Sequence, residues 1–496
     1  MEASMTMPNA HAHRPTRLST VEWLAIALGV IALALLMQHH FTAAAHGAEG
    51  HAAGAHHIPH MLAVLPFAGI LLAIAILPLV HVTSHWWESN KNRLMVALAF
   101  AAITLLYYYA AFGAGKVVTL LEHAVLAEYI PFIVLLFALY VISGGISLRG
   151  NLAAHPVTNT GFLAVGAVIA SFIGTTGASM LLIRPLLQTN AERKHVKHTV
   201  IFFIFLVSNI GGCLLPIGDP PLFLGYLRGV PFLWTFSLWV EWAVACGIVL
   251  VVYYLWDTMA YRKEEKRDLV RDETQVTHLS LTGKLNFVWL LGVVFCVGTI
   301  DPEKEFFGLF RPFPYMRELI MLGLVALSLK FTPPKARAAN QFNYHAILEV
   351  AALFIGIFIC MQAPIEILQA NGKTLGQYLN SPARFFWATG ALSSFLDNAP
   401  TYVVFFETAS SMTPEGAAGT VSLIGGGSIL ARMLVGVSLG AVFMGAMTYI
   451  GNGPNFMVKS IAEQSGIKMP SFFGYMLYSV GILVPIFLLI TLVFLR

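Results

Sequence analysis

Two acidic residues lie inside otherwise apolar stretches of the chain, each in a short break rich in glycine, proline and polar residues. Asp219 belongs to Ile217-Gly218-Asp219-Pro220-Pro221-Leu222-Phe223, and Asp397 begins Asp397-Asn398-Ala399-Pro400-Thr401. A carboxylate in the hydrocarbon layer is costly unless it is paired or hydrated, so it is a functional candidate by default. Burial in a partly dry cavity favours the protonated form, so a proton and a cation can compete for such a group. Both aspartates are therefore candidates for cation–proton exchange.

Two further breaks complete the pattern. Gly174-Thr175-Thr176-Gly177-Ala178-Ser179 precedes the break at Asp219, and Ile450-Gly451-Asn452-Gly453-Pro454-Asn455-Phe456 follows the break at Asp397. In hydrocarbon, non-helical backbone survives only where it is buried in protein or lines a wet cavity. Matching breaks in the two halves of a chain indicate the binding site of a secondary transporter.

The composition is that of a membrane protein. Hydrophobic residues make up 57% of the chain and charged residues 11%, with a mean hydropathy of +0.74, whereas soluble domains carry about 25% charge. The four cysteines lie in apolar runs without CxxC spacing, which indicates neither a disulfide nor a metal role. No Walker, Rossmann or zinc-protease motif is present, which argues against ATP-driven and enzymatic functions and predicts no catalytic residues and no cofactor.

The chain divides into four predicted segments. Residues 1–59 hold an apolar run at 21–37, either a first span or a cleavable signal peptide, and a His-rich stretch that is either a solvated loop or a metal- or pH-sensing segment. We favour an uncleaved span. Residues 60–256 form the first repeat, residues 257–284 a basic cytoplasmic linker without sign of a folded domain, and residues 285–496 the second repeat.

Charge placement sets the predicted topology. With a cytoplasmic N-terminus and the breaks at 174–179 and 396–401 treated as re-entrant hairpin tips, 20 of the 29 Lys and Arg residues fall on the cytoplasmic side. We therefore expect an all-α integral protein of a bacterial-type inner (plasma) membrane, with about eleven transmembrane helices plus two re-entrant hairpins.

The two repeats are predicted to have opposite topology. An offset of 233 residues aligns Asp219 with Asn452, and the hairpin tips align Thr175 with Asp397. The first repeat enters the membrane from outside and the second from inside, which is the inverted repeat of alternating-access carriers. The titratable residues do not follow this symmetry.

The second half carries a family resemblance. Ser393-Ser394-Phe395-Leu396-Asp397-Asn398-Ala399-Pro400-Thr401, together with the break at Ile450–Asn455, resembles the ion-transporter superfamily. Within it, the chain most resembles the branch of arsenite pumps and NhaD-type sodium–proton antiporters and its citrate-transport relatives. The resemblance covers roughly residues 60–495. It implies an elevator-type fold with a scaffold and a mobile hairpin-bearing part, and a homodimer.

The resemblance also implies a binding site where two hairpin tips and two mid-helix loops meet near the membrane midplane. The residues it implicates are Thr175, Thr176, Ser179, Ser208, Asn209, Gly218, Asp219, Asp397, Asn398, Thr401, Asn452 and Asn455. Dicarboxylate carriers of the superfamily have Ser-Asn-Thr at both tips. Here Asp397 places a negative charge where a carboxylate substrate would lie, which argues against citrate.

Sodium is a hard cation that prefers oxygen ligands. Asp397, Asn398, Thr401 and Asn452 could form a sodium cage, and competition between sodium and protons for it would suffice for antiport. The sequence thus predicts sodium (or lithium)–proton antiport. The alternatives are a cation-coupled citrate or dicarboxylate symporter and an arsenite or oxyanion exporter. The expected partners are membrane lipid and a small inorganic cation or small organic anion, without nucleic acid. Glu349, Glu366 and Glu407 lie near predicted helix ends, where an interfacial carboxylate is the ordinary interpretation.

Overall fold

The computed structural model describes residues 58–78, 80–302, 305–375, 378–414 and 416–496. Within these residues six helices are long and apolar enough to cross a membrane, and the bent pair Met61–Ile76 and His81–Trp87 would make seven. Three shorter apolar helices accompany them, at Lys197–Cys213, Leu285–Thr299 and Ala431–Met447. The chain is therefore a mostly helical, multi-pass membrane protein.

The total of about eleven spans stays a prediction, because it rests on the charge count and on loop placement. The first predicted span at 21–37 and the His-rich stretch lie outside the described residues.

The described residues before and at the start of the predicted linker contain ten α-helices. They are α1 (Leu65–Ile76), α2 (His81–Trp87), α3 (Asn90–Phe112), α4 (Ala114–Leu121), α5 (Ile130–Ser143), α6 (Pro156–Ile173), α7 (Thr175–Thr189), α8 (Lys197–Leu206), α9 (Pro220–Leu227) and α10 (Trp239–Tyr261). A π-helical stretch, Glu122–Tyr129, joins α4 to α5, and short 3-10 turns lie at Met61–Val64, Ile210–Cys213 and Phe232–Leu238.

The remaining α-helices begin in the linker and continue through the second half. They are α11 (Lys266–Thr274), α12 (Leu285–Thr299), α13 (Met316–Phe331), α14 (Pro334–Ala339), α15 (His345–Cys360), α16 (Gln362–Leu375), α17 (Pro382–Phe395), α18 (Asn398–Ser411), α19 (Ala431–Met444), α20 (Gly453–Gln464) and α21 (Phe472–Phe494). A 3-10 turn at Gly445–Met447 follows α19.

Two small antiparallel strand pairs accompany the helices. Strand β1 (Ser147–Asn151) pairs with β2 (Thr277–Thr282), and β3 (Thr420–Ser422) pairs with β4 (Ser428–Leu430). The segment 257–284 thus contains the end of α10, helix α11 and strand β2, so it has more structure than its charged composition indicated. Its strand is paired with the segment between α5 and α6.

Glycine or proline marks helix boundaries at three of the four breaks. Gly174 separates α6 from α7 with a φ of +81°, a conformation that glycine adopts without steric cost. Proline stands in the first turn of both α9 and α20, where its missing N–H costs no helical hydrogen bond. Helices α6 and α7 pack against each other, as do α17 and α18, so each pair forms a helical hairpin.

Residues 58–496 form one compact unit, within which we distinguish two groups of helices that contact each other where α16 packs on α18. We call α1–α5 and α12–α16 the frame group, because α3 packs on α15 and α5 on α12 and α13. We call α6–α10 and α17–α21 the hairpin group, because α17 packs on α19 and α10 on α6 and α21. Within the hairpin group the helix after each break packs on the second helix of the other half's hairpin: α9 on α18, and α20 on α7. These two contacts between the halves bring all four breaks together.

Candidate functional site

The carboxylate of Asp219 lies where the four breaks meet. Asp219 is the N-cap residue of α9 and is 1% exposed, and its side chain makes no capping bond to its own helix. Its Oδ1 accepts hydrogen bonds from Thr175 Oγ1 at 2.9 Å and Asn452 Nδ2 at 3.0 Å. Its Oδ2 accepts one from Asn398 Nδ2 at 2.7 Å. Thr175 belongs to the hairpin tip at 174–179 and Asn398 to the hairpin tip at 396–401. Asn452 belongs to the break at 450–456.

Backbone contacts support the same arrangement. The Thr175 N–H donates to the Gly218 carbonyl oxygen at 2.9 Å, which fixes the first hairpin tip against the first break. A Cβ on Gly218 would collide with the Gly212 carbonyl oxygen, so glycine is required for this close approach. Asn452 Nδ2 also donates to the Ser208 carbonyl oxygen at 3.1 Å, which ties the second break to the first half.

A second polar group lies beside the first. Asn209 Nδ2 donates to Asn455 Oδ1 at 2.7 Å, and the hydroxyls of Ser179 and Ser208 are 2.9 Å apart. Asn455 Nδ2 in turn donates to the backbone carbonyl oxygens of Gly445 and Thr448, which precede the break at 450–456. Because Ser208 also accepts from Asn452, both polar groups form one buried cluster that contains residues of both repeats.

Two amide oxygens of this cluster have no hydrogen-bond partner. They are Asn209 Oδ1 and Asn398 Oδ1, both buried. A Cβ placed on Gly445 would lie 3.0 Å from Asn209 Oδ1, 3.3 Å from the Gly451 carbonyl oxygen and 3.6 Å from Asn398 Nδ2. These three atoms therefore lie close together around Gly445. Buried acceptors without a donor are costly, so each needs an explanation such as an ion.

Three of the predicted site residues lie at the edge of the cluster. Asp397 is half-buried and caps α18 by accepting the Ala399 N–H at 3.0 Å. The Thr401 hydroxyl donates to the Asp397 carbonyl oxygen at 2.9 Å, within its own helix. Thr176 is half-buried beside Thr175. Hydrogen bonds thus connect nine of the predicted residues around Asp219. The side chains that donate to the Asp219 carboxylate do not include Thr401 or Thr176, and the Asp397 side chain bonds its own helix instead.

Residues 55–495 match the model of a protein family described as "Putative citrate transport". The chain belongs to this family. No curated protein matches the chain. Membership indicates a transporter of the ion-transporter type rather than an enzyme, and it agrees with the helical, multi-pass fold.

The candidate site of this family member is acidic. Asp219 and Asp397 are its carboxylates, and the side chains that contact Asp219 are the neutral Thr175, Asn398 and Asn452. In the described part of the chain, no group of three or more His, Cys, Asp or Glu residues is arranged to hold a metal ion. The oxygen atoms near Asp219 belong to carboxylate, amide, hydroxyl and carbonyl groups, and these are the kinds of ligand that hard cations prefer.

Sequence inspection missed two buried charge clusters of this transporter. In the first, Asp257 of α10 pairs with Arg193 at 2.6 Å and His198 at 2.9 Å, at the base of the first hairpin. In the second, Arg228 pairs with Glu128 and with Glu407, the acid interpreted above as interfacial. In the sequence these charged residues are recognisable only as ionisable residues near the ends of apolar runs. That pattern does not predict which residues pair with each other.

Proposed function

We propose that this chain is a secondary active transporter that exchanges sodium, or lithium, for protons by alternating access. The observation that carries the proposal is the buried Asp219 carboxylate, held by side chains from both hairpin tips and the second break. A site assembled from both inverted repeats is where an alternating-access carrier binds its cargo.

The chemistry of the site favours a cation. An anion would meet two carboxylates, and the side chains in contact with Asp219 are neutral. A dehydrated sodium ion would gain the Asp219 carboxylate, and rotation of an asparagine amide would turn its oxygen towards the ion. Asn398 Oδ1 has no partner to lose in such a rotation. A proton on Asp219 would occupy the same oxygen atoms, so protons and sodium compete for one group.

The geometry shifts the proposed sodium cage from Asp397 to Asp219. Asn398 and Asn452, two members of the predicted cage, both donate to Asp219. Thr401 uses its hydroxyl within its own helix, so we assign it a minor part. We keep Asp397 as a second, more accessible acid that passes cations or protons to the buried carboxylate.

Flux into proteoliposomes tests the proposal. An imposed pH gradient should drive uptake of sodium and lithium, and collapse of the gradient should follow addition of either ion. Asp219→Asn should abolish both signals, whereas Asp397→Asn should slow them. Sodium–proton exchange at the wild-type rate in both variants would rule out the proposed carboxylates.

Cation-coupled symport of citrate or a dicarboxylate is the second candidate, and the family description favours it. Its organic anion would have to bind together with cations that neutralise Asp219 and Asp397. Labelled citrate uptake that requires sodium, without sodium–proton exchange in the absence of citrate, would select this candidate. Exchange of sodium for protons without citrate would select antiport.

The proposal includes the setting of the transporter. We propose a homodimer in a bacterial inner (plasma) membrane, in which the hairpin group moves against the frame group as in elevator-type carriers. The boundary between the two groups is then where conformational change must break contacts.

A further inference from the structure

A buried ion cluster lies on the boundary between the two helix groups. Arg228, the C-cap residue of α9, places its guanidinium between Glu128 (Nη2 to Oε1, 2.5 Å) and Glu407 (Nε to Oε1, 3.1 Å). The other oxygens of the two carboxylates accept from Gln362 Nε2 at 3.0 Å and Gln369 Nε2 at 3.1 Å. The side chains of Arg228, Glu128 and Glu407 are 8%, 7% and 13% exposed. We call these five residues the Arg228 cluster.

The bonds of this cluster cross the boundary in two places. Arg228 and Glu407 lie on α9 and α18 of the hairpin group, whereas Glu128 lies in the π-helical stretch of the frame group. Gln362 and Gln369 lie on α16, which continues the span of α15 in the frame group (His345–Asn371) and packs on α18 of the hairpin group. The Arg228–Glu128 and Gln369–Glu407 bonds therefore join the two groups, and the Arg228–Glu407 bond stays within one. π-Helical turns occur frequently at functional positions.

Helix α9 connects this cluster to the binding site. Asp219 is its N-cap and Arg228 its C-cap, and eight residues lie between them, which corresponds to about 12 Å of rigid helix. Near the same end, the Tyr226 hydroxyl donates to the Val297 carbonyl oxygen at 2.7 Å and accepts from Arg317 Nη1 at 3.1 Å. The C-terminal end of α9 is thus fixed to the frame group by two side chains.

We propose that the Arg228 cluster is a latch that holds the transporter in the conformation seen here. The inference rests on the proposed transport function, because movement of the hairpin group must break the two bonds of this cluster that cross the boundary. Arg228 is a positioning residue: it sets the rate at which the conformation changes and leaves the ligands of the transported ion in place. Charge-assisted hydrogen bonds suit this role because they are stronger than neutral ones and depend on the geometry of the two groups. The bond between Arg228 and Glu128 would therefore stabilise the conformation seen here and would be absent once the hairpin group has moved.

Glu128→Gln tests the latch, with Glu366→Gln as its matched control. The substitution at Glu128 weakens the bond across the boundary, while Arg228 keeps Glu407 as its counter-charge. Glu366 also forms an ion pair, with Lys116 at 2.7 Å, and accepts from Tyr108 at 3.1 Å, but all three residues belong to the frame group. The control removes a similar ion pair without touching the boundary.

Two measurements are made on both variants in the full-length protein. In proteoliposomes, Glu128→Gln should raise the maximal rate of sodium-dependent proton flux by about threefold or more, with the sodium KM within about twofold of wild type. Glu366→Gln should leave both parameters within about twofold. In lipid nanodiscs, amide hydrogen exchange in α9 and α18 should be faster in Glu128→Gln and unchanged in Glu366→Gln.

A slower or unchanged maximal rate in Glu128→Gln, a change confined to KM, or equal effects in the two variants would overturn the latch. If the wild-type protein shows no sodium–proton flux, the proposed function fails and hydrogen exchange alone decides about the latch. If Glu128→Gln does not fold, Gln369→Ala replaces it, since this exposed residue makes the other bond of the cluster across the boundary. The same faster exchange is then expected, and its absence counts against the latch.

Discussion

Replacing Asp219 by asparagine separates the role of this carboxylate in ion binding from its role in folding. Asp219 accepts three side-chain hydrogen bonds, each worth about 1.5–3 kcal/mol for a charged acceptor. Removing the carboxylate from water costs several kcal/mol, which offsets these bonds. Asparagine keeps an acceptor for two of the donors, and Asn398 can present its unpartnered oxygen to the new amide. We therefore expect Asp219→Asn to change the free energy of unfolding by no more than about 2 kcal/mol.

The effect on sodium should be much larger. At a contact of about 4 Å and an effective dielectric constant of about 20, losing the negative charge removes about 4 kcal/mol of attraction. This corresponds to a roughly thousandfold weaker Kd. At a sodium concentration of about 100 times the wild-type Kd, sodium stabilises the wild-type protein by about 2.7 kcal/mol. The same concentration should stabilise the variant by less than about 0.1 kcal/mol.

Thermal unfolding in nanodiscs measures both quantities. Intrinsic tryptophan fluorescence is followed in sodium chloride and in choline chloride of equal ionic strength. The control is Asp257→Asn, which alters another buried carboxylate and leaves Arg193 with a weakened partner. This control should lose about 3–5 kcal/mol of stability and keep the shift caused by sodium. An undiminished sodium shift in Asp219→Asn would refute a cation site at Asp219.

Substitutions at Gly445, Asn455 and Asp397 probe the rest of the cluster. Gly445→Ala places a Cβ 3.0 Å from Asn209 Oδ1 and should weaken sodium binding by about tenfold or more. The control is Gly453→Ala in the following break at 450–456, whose Cβ meets open space and which should leave sodium titrations of the Tm unchanged. Asn455→Ala removes the bonds of the Asn455 amide to two buried carbonyl oxygens and one of the two bonds that Asn209 Nδ2 donates, since its bond to the Ile204 carbonyl oxygen stays. The free energy of unfolding should fall by about 3 kcal/mol. Chemical unfolding in detergent measures this, and a loss below about 1 kcal/mol contradicts the assigned bonds. Asp397→Asn keeps an oxygen that can cap α18, whereas Asp397→Ala does not. Only the alanine variant should therefore lose about 1 kcal/mol of stability, but both variants should slow proteoliposome flux. A wild-type flux in either variant would remove Asp397 from the transport path.

The breaks in the helices could be located from local sequence. Gly174 permits a positive φ, and Pro220 and Pro454 start helices α9 and α20, so these residue types mark the positions at which the backbone leaves the helix. Composition gave the membrane class for a similar reason, because hydrophobic and charged fractions report directly on the surrounding solvent.

The partners of the acidic residues could not be read from one sequence. Asp219 and Asn398 are 179 residues apart, and their contact depends on how α9 and α18 pack. For the same reason the sequence favoured Asp397 as the centre of a sodium cage, although its side-chain oxygen bonds its own helix. Glu407 was interpreted as interfacial because its partner, Arg228, belongs to the other half of the chain.

The packing of helices from one half against helices from the other has a consequence for biosynthesis. The ribosome makes about 5–20 residues per second, so the 179 residues that separate Asp219 from Asn398 take roughly 9–36 s to make. Asn452 follows later still. During this interval the first half has entered the membrane with the Asp219 carboxylate lacking two of its three donors. The nascent chain must therefore keep this residue hydrated or protonated, or delay the burial of α9, until its second half has been inserted.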